Sequence, residues 1–121
     1  MKLFLGILIC TFAMAAAAYA GEADVADVKI SMTGKNVYRF DVTVSHADEG
    51  WNHYADKWDI VAPDGTVLGT RILYHPHEDE QPFTRSLSGV KISGSINEVT
   101  VRAHDSVHGY GGKTVTIAVP R

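Results

Sequence analysis

Residues 38–45, YRFDVTVS, place an apolar side chain at every second position. Such alternation is typical of a β-strand with one face buried and the other in water. On either side of this stretch the same pattern recurs at residues 28–33, 54–62, 67–74, 83–92, 99–103 and 115–119. Turn-forming residues such as Pro63-Asp64-Gly65 separate the runs, and no segment after residue 20 carries a sustained helical period.

Seven alternating runs predict an all-β fold, an immunoglobulin-like antiparallel β-sandwich of about seven strands. Trp58, on the third strand, lies where that fold often places a buried tryptophan. A small open barrel is the alternative arrangement of the same strands.

The first 20 residues have the three parts of a secretory signal peptide. Lys2 supplies the positive charge, residues 3–18 are apolar and uncharged, and Ala18-Tyr19-Ala20 is a cleavage site of small residues. The apolar stretch is shorter than the ~20 residues of a spanning helix. Cys10 follows Ile7-Leu8-Ile9, where a lipid-attachment site would have a small residue. We therefore expect a signal peptide at 1–20, cleavage after Ala20, no membrane association afterwards, and a periplasmic or secreted product.

Residues 21–121 are the predicted β-sandwich domain. Loss of Lys2 changes the formal net charge from −3 to −4, and this acidity disfavours nucleic acid and an anionic membrane surface as partners. The only cysteine, Cys10, belongs to the signal peptide, so the domain has no disulfide, thiolate metal ligand or cysteine nucleophile. Met32 is the only methionine left, which excludes a Cu(I) site made of Met and Cys.

The six histidines of the chain occur in only three of the predicted connections. These are the second-to-third, fourth-to-fifth and sixth-to-seventh connections, which hold the pairs His46 and His53, His75 and His77, and His104 and His108. In a sandwich of this type these connections meet at one end. The predicted fold therefore collects all six imidazoles at one pole.

Imidazole is the commonest side-chain metal ligand, and iron, copper and zinc all accept it. Carboxylates that could ligate directly or orient a ring lie close in sequence: Asp48, Glu49, Glu78, Asp79, Glu80 and Asp105. We predict a transition metal ion (Fe, Cu or Zn) as cofactor, with three or four ligands drawn from the six histidines and Asp105. The acidic run 78–80 lacks the twelve-residue ligand pattern of a calcium loop.

Each histidine taken singly also has an ordinary structural interpretation. His46 has the parity of the apolar face of its strand, so it would be hydrogen-bonded at the edge of the core. His53 and His108 would be turn residues, and His75 and His77 would be polar loop residues. The group as a whole favours a shared site.

Two segments resemble the iron-binding loops of superoxide reductases, the desulfoferrodoxin-like proteins. Residues 103–110, AHDSVHGY, are similar to the family's last loop, where a strand ends in cysteine and His-Gly follows before an aromatic residue. Residues 46–58 are similar to its other loop, where a histidine-rich turn leads into a strand with a tryptophan. The resemblance implies an immunoglobulin-like sandwich whose iron, held by four histidines and one cysteine, reduces superoxide.

By position, His108 matches the family's C-terminal ligand. His46 and His53 match the pair in the earlier loop, with one extra residue between them, and His75 or His77 would supply a fourth imidazole from a different place. Aspartate replaces the family's cysteine at position 105. Since thiolate donation is central to the family's chemistry, the resemblance supports a metal site more than the activity.

Residues 75–77 and 80–87 also resemble a group of small secreted bacterial proteins with no assigned function. Three functions therefore stay open. The first is an exported, non-enzymatic protein that binds a transition metal through histidines, and the second is a superoxide reductase-like enzyme. The third is a module that contacts protein or glycan through loop aromatics such as Trp51, Tyr74 and Phe83. We expect Trp51 and Phe83 to pack in the core instead.

Overall fold

The structure is a computed structural model that describes residues 21–121. The predicted signal peptide at 1–20 lies outside the described residues. Within residues 21–121, no helix is both long and apolar enough to cross a bilayer.

The described part of the chain forms eight strands in two antiparallel sheets. The strands are β1 (Asp24–Gly34), β2 (Val37–Ser45), β3 (Ala55–Val61), β4 (Val67–Ile72), β5 (Phe83–Lys91), β6 (Glu98–Asp105), β7 (Gly109–Tyr110) and β8 (Val115–Ala118). One sheet has the order β1-β2-β5, and the other has the order β4-β3-β6-β7 with β8 also paired to β6. The predicted all-β sandwich is confirmed, and the added strand is the two-residue β7.

The core lies between the sheets and is built by the alternation seen in the sequence. On β2, Tyr38, Phe40, Val42 and Val44 are all fully buried. Trp58 of β3 is also fully buried, so the prediction for this tryptophan is confirmed. Burial of one large apolar side chain contributes about 1.5–3 kcal/mol, so this layer dominates the stability of a domain without a disulfide.

Loop aromatics divide between core and surface. Phe83 begins β5 and is 1% exposed, as predicted, whereas Trp51 is 67% exposed and the prediction of core packing for it is wrong. Trp51 lies in the tight turn between β2 and β3, where it bridges to Glu49 and meets the ring of Tyr54 edge-on.

Strand β1 is an edge strand whose regular pairing is interrupted twice. It pairs with β2 alone, and register shifts occur between Val25 and Asp27 and between Met32 and Gly34. The opposite sheet has the six-residue β4 at its edge. These two edge strands therefore depart from a long flat ladder.

The segment that precedes β1 is fixed against the β7–β8 connection. A side chain at Gly112 would collide with the carbonyl of Ala23, and one at Gly111 would collide with the side chain of Glu22. The absence of side chains at these glycines therefore permits the close approach. Lys113 accepts a backbone hydrogen bond from Val25, and Ala23 is fully buried.

Three connections meet at one end of the sandwich: β2–β3, β4–β5 and β6–β7. Ser106 donates its backbone N–H to the carbonyl of Tyr54 (2.9 Å), which joins the first and third. Asp48 accepts the backbone N–H of His77 (2.6 Å), which joins the first and second. Side chains from distant parts of the sequence are thereby brought together.

Candidate metal centre

Three side chains from two of these connections converge in a buried cluster. His46 directly follows β2, His53 lies two residues before β3, and Asp105 is the last residue of β6. The Nε2 atoms of His46 and His53 are 3.3 Å apart, and carboxylate oxygens of Asp105 lie 3.5 and 3.6 Å from them, respectively. The side chains of His46 and Asp105 are fully buried, and that of His53 is 11% exposed. Within residues 21–121, this is the group of histidine and carboxylate side chains with the spacing of metal ligands.

The separation between the two imidazole nitrogens matches that between ligands of one ion. Atoms bound tetrahedrally at about 2.1 Å, as for zinc, are about 3.4 Å from one another. The Nε2 atoms of His46 and His53 are 3.3 Å apart, and each has a different oxygen of Asp105 nearby, Oδ2 at 3.5 Å from His46 and Oδ1 at 3.6 Å from His53. With one donor atom taken from each residue, the three donor atoms lie within 4.8 Å of one another.

Hydrogen bonds to Nδ1 orient the rings of His46 and His53. Nδ1 of His46 is 2.6 Å from a carboxylate oxygen of Asp48, and Nδ1 of His53 is 2.8 Å from one of Glu49. Since an ionised carboxylate only accepts, both Nδ1 atoms carry the hydrogen. In the neutral rings Nε2 then presents a lone pair, and each carboxylate fixes its tautomer as second-shell partners of metal-bound histidines do.

Charge at the cluster is set by burial and by hydrogen bonds. Burial favours the neutral acid of Asp105, but backbone N–H groups of His108 and Val107 outweigh it and lower the pKa of Asp105. Burial also disfavours imidazolium at His53, yet the hydrogen bond to Glu49 and the charge of Asp105 prevail, and the pKa of His53 is raised. The cluster thus holds a carboxylate that attracts a positive charge.

His108 lies at the rim of the cluster. Its Nδ1 is 3.2 Å from Asp105, its ring centroid is 4.9 Å from that of His53, and its side chain is 38% exposed. His108 is therefore a candidate fourth ligand on the solvent side.

Asp48 holds the frame of the site. One carboxylate oxygen meets the ring of His46 and the backbone N–H of Ala55 (3.1 Å), and the other accepts the N–H of His77. Gln81 adds a second link, because it accepts the N–H of His46 (2.9 Å) and donates to the carbonyl of His77 (2.9 Å).

His75 and His77 lie beside this frame and outside the three-residue cluster. The His77 ring stacks on Phe83 with centroids 4.0 Å apart, and its Nδ1 is 4.0 Å from Asp48. Within residues 21–121, neither of its ring nitrogens has a hydrogen-bond partner. Burial, aided by the charge of Arg85, lowers the pKa of His77. His75 is exposed, and its Nδ1 lies 3.1 Å from the carbonyl of Pro76.

His104 lies on the other face of β6 from Asp105. Strand alternation directs neighbouring side chains to opposite faces. Nδ1 of His104 forms a hydrogen bond with Asp56 at 2.6 Å, and the His104 ring meets that of Tyr110 edge-on. The structure therefore brings His46, His53, His108 and Asp105 together, and it leaves His75, His77 and His104 in separate contacts.

Two contributors have no signal in the sequence pattern. Gln81 acts through a loop whose path cannot be read from alternation, and the carbonyl oxygen of Gly21 lies 3.1 Å from Nε2 of His46. Asp48 and Glu49 were detectable as carboxylates next to histidines, which is the arrangement expected of ring-orienting groups.

Comparison with known proteins adds two relationships. The chain is 40% identical over 96 residues to a protein of Halomicrobium mukohataei named "Putative lipoprotein", a match that covers 79% of this chain and 47% of that protein. The chain thus spans about half the length of this relative. A hypothetical protein from Pyrococcus horikoshii OT3 shares the fold, with a TM-score of 0.53 over 88% of this chain and 95% of that one, at 8% identity. No protein-family model matches the chain.

Replacement of Asp48 tests the frame. We expect Asp48→Ala to lower the free energy of unfolding by about 3–5 kcal/mol, because three N–H groups lose a buried charged acceptor. Glu49→Ala is the matched control, since the Glu49 side chain is 63% exposed and its ion pair contributes about 0–1 kcal/mol. Denaturant unfolding of both variants gives the comparison, and equal losses would contradict the role of Asp48.

Proposed function

We propose that this chain is an exported protein that binds a transition metal ion through His46, His53 and Asp105. The observation that carries the proposal is that two imidazole nitrogens lie 3.3 Å apart in a buried space, each with an oxygen of the Asp105 carboxylate 3.5 or 3.6 Å away. Lone pairs so close repel one another unless a positive centre lies between them. A metal ion or a bound proton can fill that role, and the ligand-like separations favour the ion.

The donor set narrows the choice of metal. Two imidazoles with a carboxylate suit zinc, Fe(II) and Cu(II), whereas soft Cu(I) prefers the thiolate and thioether ligands that the domain lacks. Three protein ligands with a fourth position open is also the arrangement of catalytic zinc sites. His108, whose half-exposed side chain contacts Asp105, is the candidate for the fourth position.

Export rests on separate support. The predicted signal peptide at 1–20 indicates secretion. The name of the Halomicrobium relative is that of a lipoprotein, a class of exported proteins, and it agrees with this prediction. An oxidising compartment would not affect the site, because none of its donors is a thiol.

Metal titration of single variants tests the ligand set. We expect His46→Ala, His53→Ala and Asp105→Ala each to lower the affinity for zinc or Cu(II) by at least about 100-fold, more than a typical loss from a second-shell change. His104→Ala is the matched control and should stay within about threefold, because His104 bonds to Asp56 instead. Calorimetry on folded apo-protein gives the values. Wild-type protein that binds none of Zn(II), Cu(II) or Fe(II) would refute the proposal.

Metal affinity should also decrease as the pH decreases. A protonated ring cannot ligate, and the pKa of His53 is raised above its ordinary 6.5, so competition by protons should begin above that pH. Each displaced proton costs about tenfold in affinity per pH unit below the pKa. Glu49→Ala should move the decline to lower pH, because it removes the hydrogen bond that raises this pKa. An affinity independent of pH between about 5 and 8 would contradict this assignment.

Reduction of superoxide is the second candidate, because the loops that resemble those of superoxide reductases bring their matched residues, His46, His53, His108 and Asp105, together. A carboxylate donates less electron density than the thiolate it replaces. We therefore expect iron-loaded protein to consume superoxide no faster than free iron. Faster consumption would favour the enzyme. In Asp105→Cys, a thiolate-to-Fe(III) absorption band would report contact between residue 105 and the metal.

A further inference from the structure

We infer that the amino terminus created by cleavage after Ala20 is itself part of the metal centre, with Gly21 as a ligand. The inference rests on the proposed function and on the predicted cleavage site. Its starting observation is that the carbonyl oxygen of Gly21 lies 3.1 Å from Nε2 of His46. This separation resembles the distances from the same nitrogen to Nε2 of His53, 3.3 Å, and to an oxygen of Asp105, 3.5 Å.

The position of Gly21 is built into the fold. Ala23 is fully buried in the core two residues later, so the chain before it has little freedom. Asp24 accepts the backbone N–H of Lys113 (2.7 Å), and the glycine pair 111–112 allows segment 22–24 to lie directly on the β7–β8 connection. These contacts hold the start of the domain against the pole that contains His46.

Processing changes the chemistry of this residue. In the precursor the nitrogen of Gly21 belongs to a peptide bond and is a poor donor, whereas cleavage turns it into a primary amine. The amine and carbonyl oxygen of one glycine can chelate a single ion, and the amine releases its proton to solvent when it binds, since its ordinary pKa is about 7.7–8.0. Gly21 would thus add a nitrogen and an oxygen to the two imidazoles and the carboxylate.

The same chemistry gives the site a form of regulation. Before cleavage the three side chains and the carbonyl oxygen of Gly21 are available, and cleavage adds the amine that completes the chelate. The exported and processed chain would therefore bind metal more tightly than its cytosolic precursor.

Two forms of the exported protein test this inference. The first is the native chain, secreted with its own signal and purified, with its first residue determined by mass spectrometry. The second carries two serines inserted between Ala20 and Gly21, so that the amine is displaced and the nitrogen of Gly21 remains an amide. Calorimetry with Cu(II) and Zn(II) compares them, and thermal unfolding of the apo-proteins checks that both are folded.

We expect the native form to begin at Gly21 and to bind Cu(II) at least about tenfold more tightly than the extended form. A spectroscopic measurement tests contact directly: [15N]glycine labelling should change the nitrogen hyperfine pattern of bound Cu(II) in the native form alone. Native protein whose α-amine has been acetylated should behave as the extended form does, which separates loss of the amine from the bulk of the insertion.

The outcomes distinguish the role of Gly21 from metal binding by the three side chains. Equal affinities, with binding still lost in His46→Ala, would overturn the role of Gly21 and leave the three-ligand site intact. A first residue other than Gly21, or a hyperfine pattern unaffected by labelling, would overturn it as well. Absence of binding by every form would instead refute the proposed metal function.

Discussion

Hydrogen bonds to buried Asp48 set the shape of the end of the sandwich. A carboxylate removed from water costs several kcal/mol unless N–H groups surround it. Asp48 meets this requirement through the ring of His46 and the backbone N–H groups of Ala55 and His77, which belong to different connections. The two connections must therefore lie side by side for the charge to be tolerated. Asp105 likewise accepts hydrogen bonds from the backbone N–H groups of Val107 and His108, which hold the loop after β6 at the same end of the sandwich.

This arrangement leaves an excess of hydrogen-bond acceptors at one point. Once Asp48 and Glu49 hold the Nδ1 hydrogens, the opposite edges of His46 and His53 and the carboxylate of Asp105 all present lone pairs inward. The fold is thus less stable at this point, but it contains a preorganised space for positive charge, as binding sites commonly do. The hydrogen-bonded frame around Asp48 also explains how ligands from the β2–β3 connection and from β6 are held toward the same point.

The sequence predicted the sheets well because alternation records which side chains face the core. It predicted the pole that collects histidines for the same reason, since strand order fixes where connections lie. It could not separate His53 from His75 or His77, because loop paths depend on contacts such as that between Gln81 and His46. The sequence analysis placed His104 in a connection, but β6 extends to Asp105, and strand alternation therefore directs the two side chains to opposite faces. The exposure of Trp51 depends on a turn geometry that composition does not reveal.

The irregular edges described for β1 and β4 bear on behaviour at high concentration. A long, straight strand with unpaired N–H and C=O groups is a template on which another copy can add its own strand. The two register shifts of β1 twist its outer edge, and β4 offers only six residues. These two edges are therefore poor templates for growth into continuous intermolecular sheets.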